Sequence, residues 1–373
     1  MILQNVPQLN GREKEYLLDC LESNWISSQG KYIQAFEQSF AYYCGVRFGL
    51  ACSSGTSALH LALMALEIGF GDEVIVPDFT LIADANMVIL TGARPVFVDV
   101  DPETWCLDTE QLKAKITSKT KAIIAVHMFG HPCDMEAIRR VAGDQGLFVI
   151  EDAAQAHGSE YRGKKAGSLG DVACFSFYAS KTLTTGEGGM VLTDRPEIAE
   201  KVALLRSHGF EGSDRVYVHR VFGCNYRLTN IQAAIGLAQC ERIEEKVEDK
   251  RRVFETYRQA LRDFEPVTFQ VTRPWARSTN WNVAVLLKGN PGPSCSEVVE
   301  KLKAKGIQTR YFFNSLHRQP LFQNSRDPRY PQVDGSYPVS DYLSDHGLCL
   351  PSGLDLTTAE IKTVVAALKG CWD

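Results

Sequence analysis

Lys181 is set apart by its surroundings. In FSFYASKTLTTGEGG, residues 175–189, it follows an apolar run that ends at Phe177 and Tyr178, and it lies among small polar residues with glycines close behind. A primary amine at the edge of a core can, when neutral, attack a carbonyl carbon or carry a proton. Other candidates also sit just past the end of an apolar run. FGLAC (48–52) leads into Ser53, Ser54, Gly55 and Thr56, a small glycine-containing turn opening a helical pattern, whose free amides and hydroxyls suit a phosphate. EVIVP (73–77) is followed by the aromatic Phe79, and LFVIED (147–152) ends in Asp152, with Gln155 one helical turn later. VACFSF (172–177) supplies Ser176 before Lys181.

Each residue also has a plain structural reading: Lys181 as a solvated loop lysine, Asp152 as a helix N-cap, Phe79 as core, SSGTSAL as a capped helix start. Together they make a phosphate cradle, an aromatic plate, a carboxylate, an amide and a lysine, which is the set that pyridoxal phosphate needs. The amine bonds the cofactor's aldehyde, and the carboxylate keeps the pyridine nitrogen protonated so that the ring can accept electrons. The aromatic stacks on the ring and the helix start takes the phosphate.

Residues so far apart in the chain meet only if the elements bring them to one edge. From Phe48 onward, short apolar runs alternate with longer helical patterns; in TSALHLALMALEIG, for instance, Leu59, Leu63 and Leu66 recur at helical spacing. This alternation predicts an α/β fold with a largely parallel sheet covered by helices on both faces, and ligands in such sheets gather beyond the carboxyl ends of the strands. A long helical reading from Thr229 to about Phe264, charged in its middle, leads to a smaller α/β unit. That unit holds the strand-like NWNVAVLL and IQTRYFF, the helical CSEVVEKLKAKG and a closing helix from Thr357. The expected division is a large cofactor-binding domain with its N-terminal segment over 1–245 and a small C-terminal domain over 246–373.

The chain's 373 residues exceed the size at which single cores usually stop growing, and 45% hydrophobic with 23% charged residues describes a compact protein. A formal net charge of -5, with no block of like charges, argues against a nucleic-acid surface. No apolar run approaches the ~18 residues that cross a bilayer. The N-terminus lacks a basic start followed by an apolar core, so the expected compartment is the cytoplasm. The 11 cysteines are odd in number and form no C-x-x-C pair, so they read as small buried hydrophobes.

Two other motifs carry less. GSEYRGKK (158–165) approaches a nucleoside-triphosphate loop, but Lys165 stands where a Mg²⁺-binding hydroxyl is required. HMFGHPCD offers His127, His131, Cys133 and Asp134, but their spacing matches no zinc-ligand pair and no second cluster lies near in sequence.

The segments NWISSQGKYIQAFEQSF, SSGTSALHLAL, EDAAQAHG, FSFYASKTLTTGEGGMV, GCNYRLTNIQAAIGLAQ and GLCLPSG jointly resemble those of the DegT/StrS family of sugar-nucleotide aminotransferases, fold type I pyridoxal phosphate enzymes. The likeness spans essentially the full length. It implies that Lys181 is the cofactor-bonding lysine, Asp152 the partner of the pyridine nitrogen, Gln155 a contact near the ring hydroxyl and Phe79 the stacking ring. Gly55, Thr56 and Ser176 would hold the phosphate. Asn225 resembles an asparagine that members donate across a dimer interface to the neighbouring subunit's cofactor phosphate, which implies a homodimer. His317 resembles a position near the sugar, with Tyr311 close by in sequence, and basic residues near 27–32 and 310–318 are candidates for the diphosphate. One departure is YASK where GNK or PTK types are more familiar, with Ala179 and Ser180 flanking the lysine.

The family further implies L-glutamate as amino donor. KTLTTGEGGMVLTD and NYRLTNIQAAIGLAQ point within it to amination at C4 of a GDP-linked 4-keto-6-deoxymannose, the alternatives being UDP- or dTDP-linked 4-keto-6-deoxyglucose. Relatives with histidine in place of the lysine act as dehydratases, so Lys181 implies transamination. A non-catalytic, cofactor-binding regulator is the rival class. The intact Lys181, Asp152 and Gln155, and the lack of an appended DNA-binding helix pair, weigh against it.

Overall fold

The computed structural model describes residues 1–210, 219, 221–288, 292–323, 327–333 and 335–373. The apolar runs of the first half become strands β1 (Phe48–Cys52), β2 (Glu73–Pro77), β3 (Arg94–Val98), β4 (Thr120–Val126) and β5 (Phe148–Asp152). A short hairpin follows, β6 (Glu160–Tyr161) and β7 (Lys164–Lys165), then β8 (Val172–Ser176) and β9 (Gly189–Thr193). Among the described residues, seven of these strands form one sheet in the order β1-β9-β8-β5-β4-β2-β3. Neighbours from β3 to β8 pair in parallel, and β9 runs antiparallel to both β8 and β1.

Helices cover both faces: α1 (Glu13–Glu22), α2 (Lys31–Cys44), α3 (Gly55–Ala65), α4 (Ala83–Leu90), α5 (Leu112–Lys115), α6 (Met135–Gln145), α7 (Pro196–Leu205), α8 (Asn230–Cys240) and α9 (Ile243–Ala260). Alternation along β8 shows how the layers divide. Val172 and Cys174 join the cluster of Leu61, Val76, Ile138 and Ile150, while Ala173 and Phe175 join that of Phe36, Phe40, Ala234 and Val247. With both faces dry, the strands read as continuous apolar runs.

The long helix expected from Thr229 is two helices. Thr229 caps α8 by accepting the Gln232 N–H, and the chain bends at Glu241 and Arg242 before α9 begins. The second half adds β10 (Val267–Phe269), β11 (Ala276–Arg277), β12 (Val283–Leu287), β13 (Arg310–Tyr311) and β14 (Gly347–Leu350), with α10 (Cys295–Ala304), α11 (Pro338–His346) and α12 (Thr358–Lys369). β10, β12, β14 and β13 form a second, antiparallel sheet, while β11 pairs with β6. IQTRYFF contributes only the two residues of β13. Residue 245, the expected end of the larger domain, lies inside α9. Val247 of that helix packs with α2 and α8, whereas Val253 and Tyr257 pack on the second sheet. GSEYRGKK is the β6–β7 hairpin, and Lys165 spends its amine on Glu160 at 2.9 Å.

Candidate active site

Strands β1, β2, β4, β5 and β8 all end on one edge of the main sheet. β5 delivers Asp152 between β4 and β8, and the buried carboxylate accepts the Ala154 N–H at 2.9 Å. Its neighbour Glu151 accepts the N–H groups of Gly167 at 2.8 Å and of Leu169 and Gly170 at 2.7 Å, and it pairs with His127 Nε2 at 2.9 Å. His127 Nδ1 accepts the Cys133 N–H at 3.1 Å, which places the ring proton on Nε2. Glu151 and His127 therefore brace the strand end that carries Asp152. His131 is spent likewise, on Pro132 O at 2.8 Å and the Arg273 N–H at 3.2 Å. Among the described residues no group of three or more His, Cys, Asp or Glu could hold a metal ion.

Lys181 sits in a pinned loop. Phe177 N–H donates to Gly188 O at 2.8 Å, Thr185 N–H to Phe177 O at 2.9 Å and Lys181 N–H to Tyr178 O at 2.9 Å. The preceding carbonyl, Ser180 O, accepts Trp281 Nε1–H at 2.7 Å and Asn5 Nδ2–H at 2.5 Å. The Lys181 amine lies 3.9 Å from the centroid of the Trp281 ring. Burial pulls this amine down to about 8; Asp152 opposes the effect and Arg310 adds to it. Burial raises Asp152 in turn, and Lys181 is among the groups that favour its ionised form. Amine and acid thus act on each other electrostatically.

The start of α3 lies on the same edge. Ser54 accepts the Ser57 N–H at 3.1 Å while Ser57 Oγ accepts the Ser54 N–H at 2.8 Å, a reciprocal cap. The Gly55 and Thr56 N–H groups are left without an acceptor among the described residues. Ser176, at the end of β8, is so close that a Cβ on Gly55 would fall 2.7 Å from its own Cβ, and a Cβ on Gly189 would fall 2.1 Å from Ser54 O. Two free amides, a serine hydroxyl and the positive end of a helix suit a phosphate dianion, so these residues fit pyridoxal phosphate.

Gln155 is buried, its Oε1 accepting the Phe129 N–H at 2.9 Å. Phe79 has to be corrected. It is 0% exposed, with the rings of Phe129, Phe312 and Phe313 centred 6.3, 5.7 and 6.2 Å away, and it has no face left for a cofactor ring. In the same loop Leu81 is 47% exposed. His317 is also tied up. Its Nδ1 lies 2.7 Å from Asp78, its backbone N–H donates to Asp78 at 2.8 Å, its Nε2 is 3.5 Å from Asp341, and its ring stacks on Tyr337 at 4.6 Å. It clasps the 316–318 turn to the end of β2. Tyr311 is 53% exposed on the edge strand β13. Asn225 is exposed, and its Oδ1 accepts Arg227 Nε–H at 3.1 Å.

Of the basic residues at 310–318, Arg310 is one whose charge reaches Lys181; Lys31, in the earlier group, pairs with Asp19 at 2.9 Å. Two neighbours escape the sequence reading. Trp281, which touches the reactive amine, shows only as an aromatic between two asparagines at a strand start. Asp84, buried against Asp152, shows only as an acid in the apolar LIADANMVIL.

The chain is similar to known proteins along almost its whole length. The model of the DegT/DnrJ/EryC1/StrS aminotransferase family matches residues 7–369. GDP-perosamine synthase of Caulobacter vibrioides is 46% identical over 366 residues, covering 97% of this chain and 96% of that protein. The enzyme of the same name from Escherichia coli O157:H7 is 42% identical, covering 95% and 94%. The crystal structure of S. venezuelae DesV in complex with a ketimine intermediate superposes with a TM-score of 0.89 at 33% identity, covering 96% of this chain and 94% of that one.

Proposed function

The chain belongs to the DegT/DnrJ/EryC1/StrS aminotransferase family, a group of pyridoxal phosphate-dependent enzymes, and from that premise we propose that it transfers the amino group of L-glutamate to C4 of GDP-4-keto-6-deoxymannose, giving GDP-perosamine. The identities of 46% and 42% to two enzymes of that name support the GDP-linked substrate over its UDP- and dTDP-linked counterparts. The observation that carries the reading is the electrostatic pairing of Lys181 with Asp152 at the strand ends that also hold a free helix start.

When bound, the cofactor supplies an aldehyde to which amines bond and a ring that takes up the electron pair released as a C–H bond breaks. The chain supplies the rest. Lys181 Nζ holds the cofactor and, once released by an incoming amine, moves the proton as base when neutral and as acid when charged. Asp152 keeps the pyridine nitrogen protonated. The Gly55 and Thr56 amides and the Ser176 hydroxyl would hold the phosphate, Gln155 would serve the ring hydroxyl, and Leu81 would offer the apolar surface first sought in Phe79. Arg310, whose charge reaches Lys181, suits an acidic donor or a diphosphate, and Tyr311 is exposed and open to the sugar.

We assign Asn225 to the partner subunit's phosphate in a homodimer; the exposed Val221 and Phe222 nearby support an interface at this face. The division into a larger and a smaller domain is drawn within α9. No helix among the described residues is long and apolar enough to cross a membrane, and we place the enzyme in the cytoplasm.

The test is direct. Purified protein is given L-glutamate with the GDP-, UDP- or dTDP-linked 4-keto-6-deoxy sugar, and the products are resolved by mass spectrometry. The GDP sugar should exchange its 4-oxo group for an amine fastest. Amination of a UDP or dTDP sugar alone would move the substrate assignment, and no amination of any would favour the regulator.

A further inference from the structure

Asp84 is the second residue of α4, 0% exposed, and its Oδ2 accepts Thr80 Oγ1–H at 2.8 Å. Its Oδ1 is buried and meets no donor among the described residues. What it does meet is Asp152, whose carboxyl group lies within hydrogen-bonding reach. Two carboxylates in contact and out of water do not both ionise, so the pair holds a proton. The surroundings decide which partner carries it. Asp152 has the Ala154 N–H and the Lys181 amine to favour its negative form, while Asp84 has, among the described residues, only the Thr80 hydroxyl. Burial and then the neighbouring Asp152 push Asp84 well above the ordinary carboxyl range. The first turn of α4 favours an anion at this position, but that effect is weaker than like-charge contact in a dry site. Cys174, on which both acids act, is itself held neutral, chiefly by burial.

We propose that Asp84 is a positioning residue: kept neutral, it takes the Thr80 hydroxyl at Oδ2 and donates Oδ1–H to Asp152, fixing that carboxylate's plane and lowering its basicity. The proposal rests on the assignment of Asp152 to the ring nitrogen. An acceptor already engaged by Asp84 draws the ring proton less strongly, so the nitrogen keeps it. The relay runs one way, from Thr80 through Asp84 to Asp152, and needs no group that the chain lacks.

The pair can be read without the cofactor. Cofactor-free protein at neutral pH should show the infrared C=O stretch of a buried, neutral carboxylic acid, and Asp84→Asn should lose it. Asparagine keeps a donor and an acceptor of the same shape, so this variant should bind pyridoxal phosphate within about threefold of wild type. Asp84→Leu, which leaves Asp152 without its donor, should bind about tenfold more weakly. A carboxylic-acid band that survives in Asp84→Asn, or equal losses of affinity in the two variants, would overturn the proposal. If the leucine variant does not fold, the band in the asparagine variant still decides. Wild-type protein that shows the band but takes up no cofactor would overturn the functional reading and, with it, the role given to Asp84.

Discussion

Lys181 owes its character to burial more than to any single neighbour, and this sets how it should titrate. A neutral amine is needed to bond the cofactor, so the rate of pyridoxal phosphate uptake by cofactor-free protein should climb with pH and level off above about 8. Arg310 repels the ammonium form, and Arg310→Ala should therefore move the midpoint upward. A wild-type midpoint at the ordinary lysine value would contradict the assignment of a desolvated amine. Phe79 makes a different kind of claim. Enclosed by three aromatic rings, it should behave as core, and Phe79→Ala should cost about 3–5 kcal/mol in denaturant unfolding of cofactor-free protein. A cost under about 1 kcal/mol with lost cofactor affinity would restore it as a ring contact.

At the scale of elements, the site depends on α3 starting where β8 ends. Gly55→Ala puts a methyl group 2.7 Å from Ser176 Cβ, so one strand end must shift away from the phosphate amides. Cofactor affinity should fall more than about tenfold, read by equilibrium dialysis, while the helical circular dichroism is kept; an unchanged affinity would mean that the phosphate lies elsewhere. The strand-and-helix alternation that builds this edge was plain in the sequence, because a sheet covered on both faces needs continuous apolar runs and the helices between them show a 3.6-residue period. Asp152, Lys181 and the SSGTSAL turn were legible for the same reason, each standing just past such a run. Less could be read where pairing is short or the signal is tertiary. The two-residue arms of β6 and β7 have no period to detect. The bend at Glu241 and Arg242 is marked by neither glycine nor proline. The inward turn of Phe79 depends on rings at 312 and 313, and the clasp on His317 depends on Asp78, 239 residues away.

For the whole molecule, the proposed homodimer makes a specific demand on Asn225. If it reaches across an interface, a site made of one subunit's Lys181 and the other's Asn225 is intact in a mixed dimer. Refolding Lys181→Ala together with Asn225→Ala should then restore activity that neither variant shows alone, with one working site per mixed dimer. No gain on mixing would place Asn225 in its own subunit's site. Above all, the account requires that one amine out of all the lysines bonds the cofactor. Borohydride, which fixes pyridoxal phosphate to the amine it is bonded to, followed by proteolysis and mass spectrometry, tests this most directly. The tag should be found on Lys181 in the wild type and be absent from Lys181→Ala; a tag on another lysine, such as the buried Lys250, would contradict it.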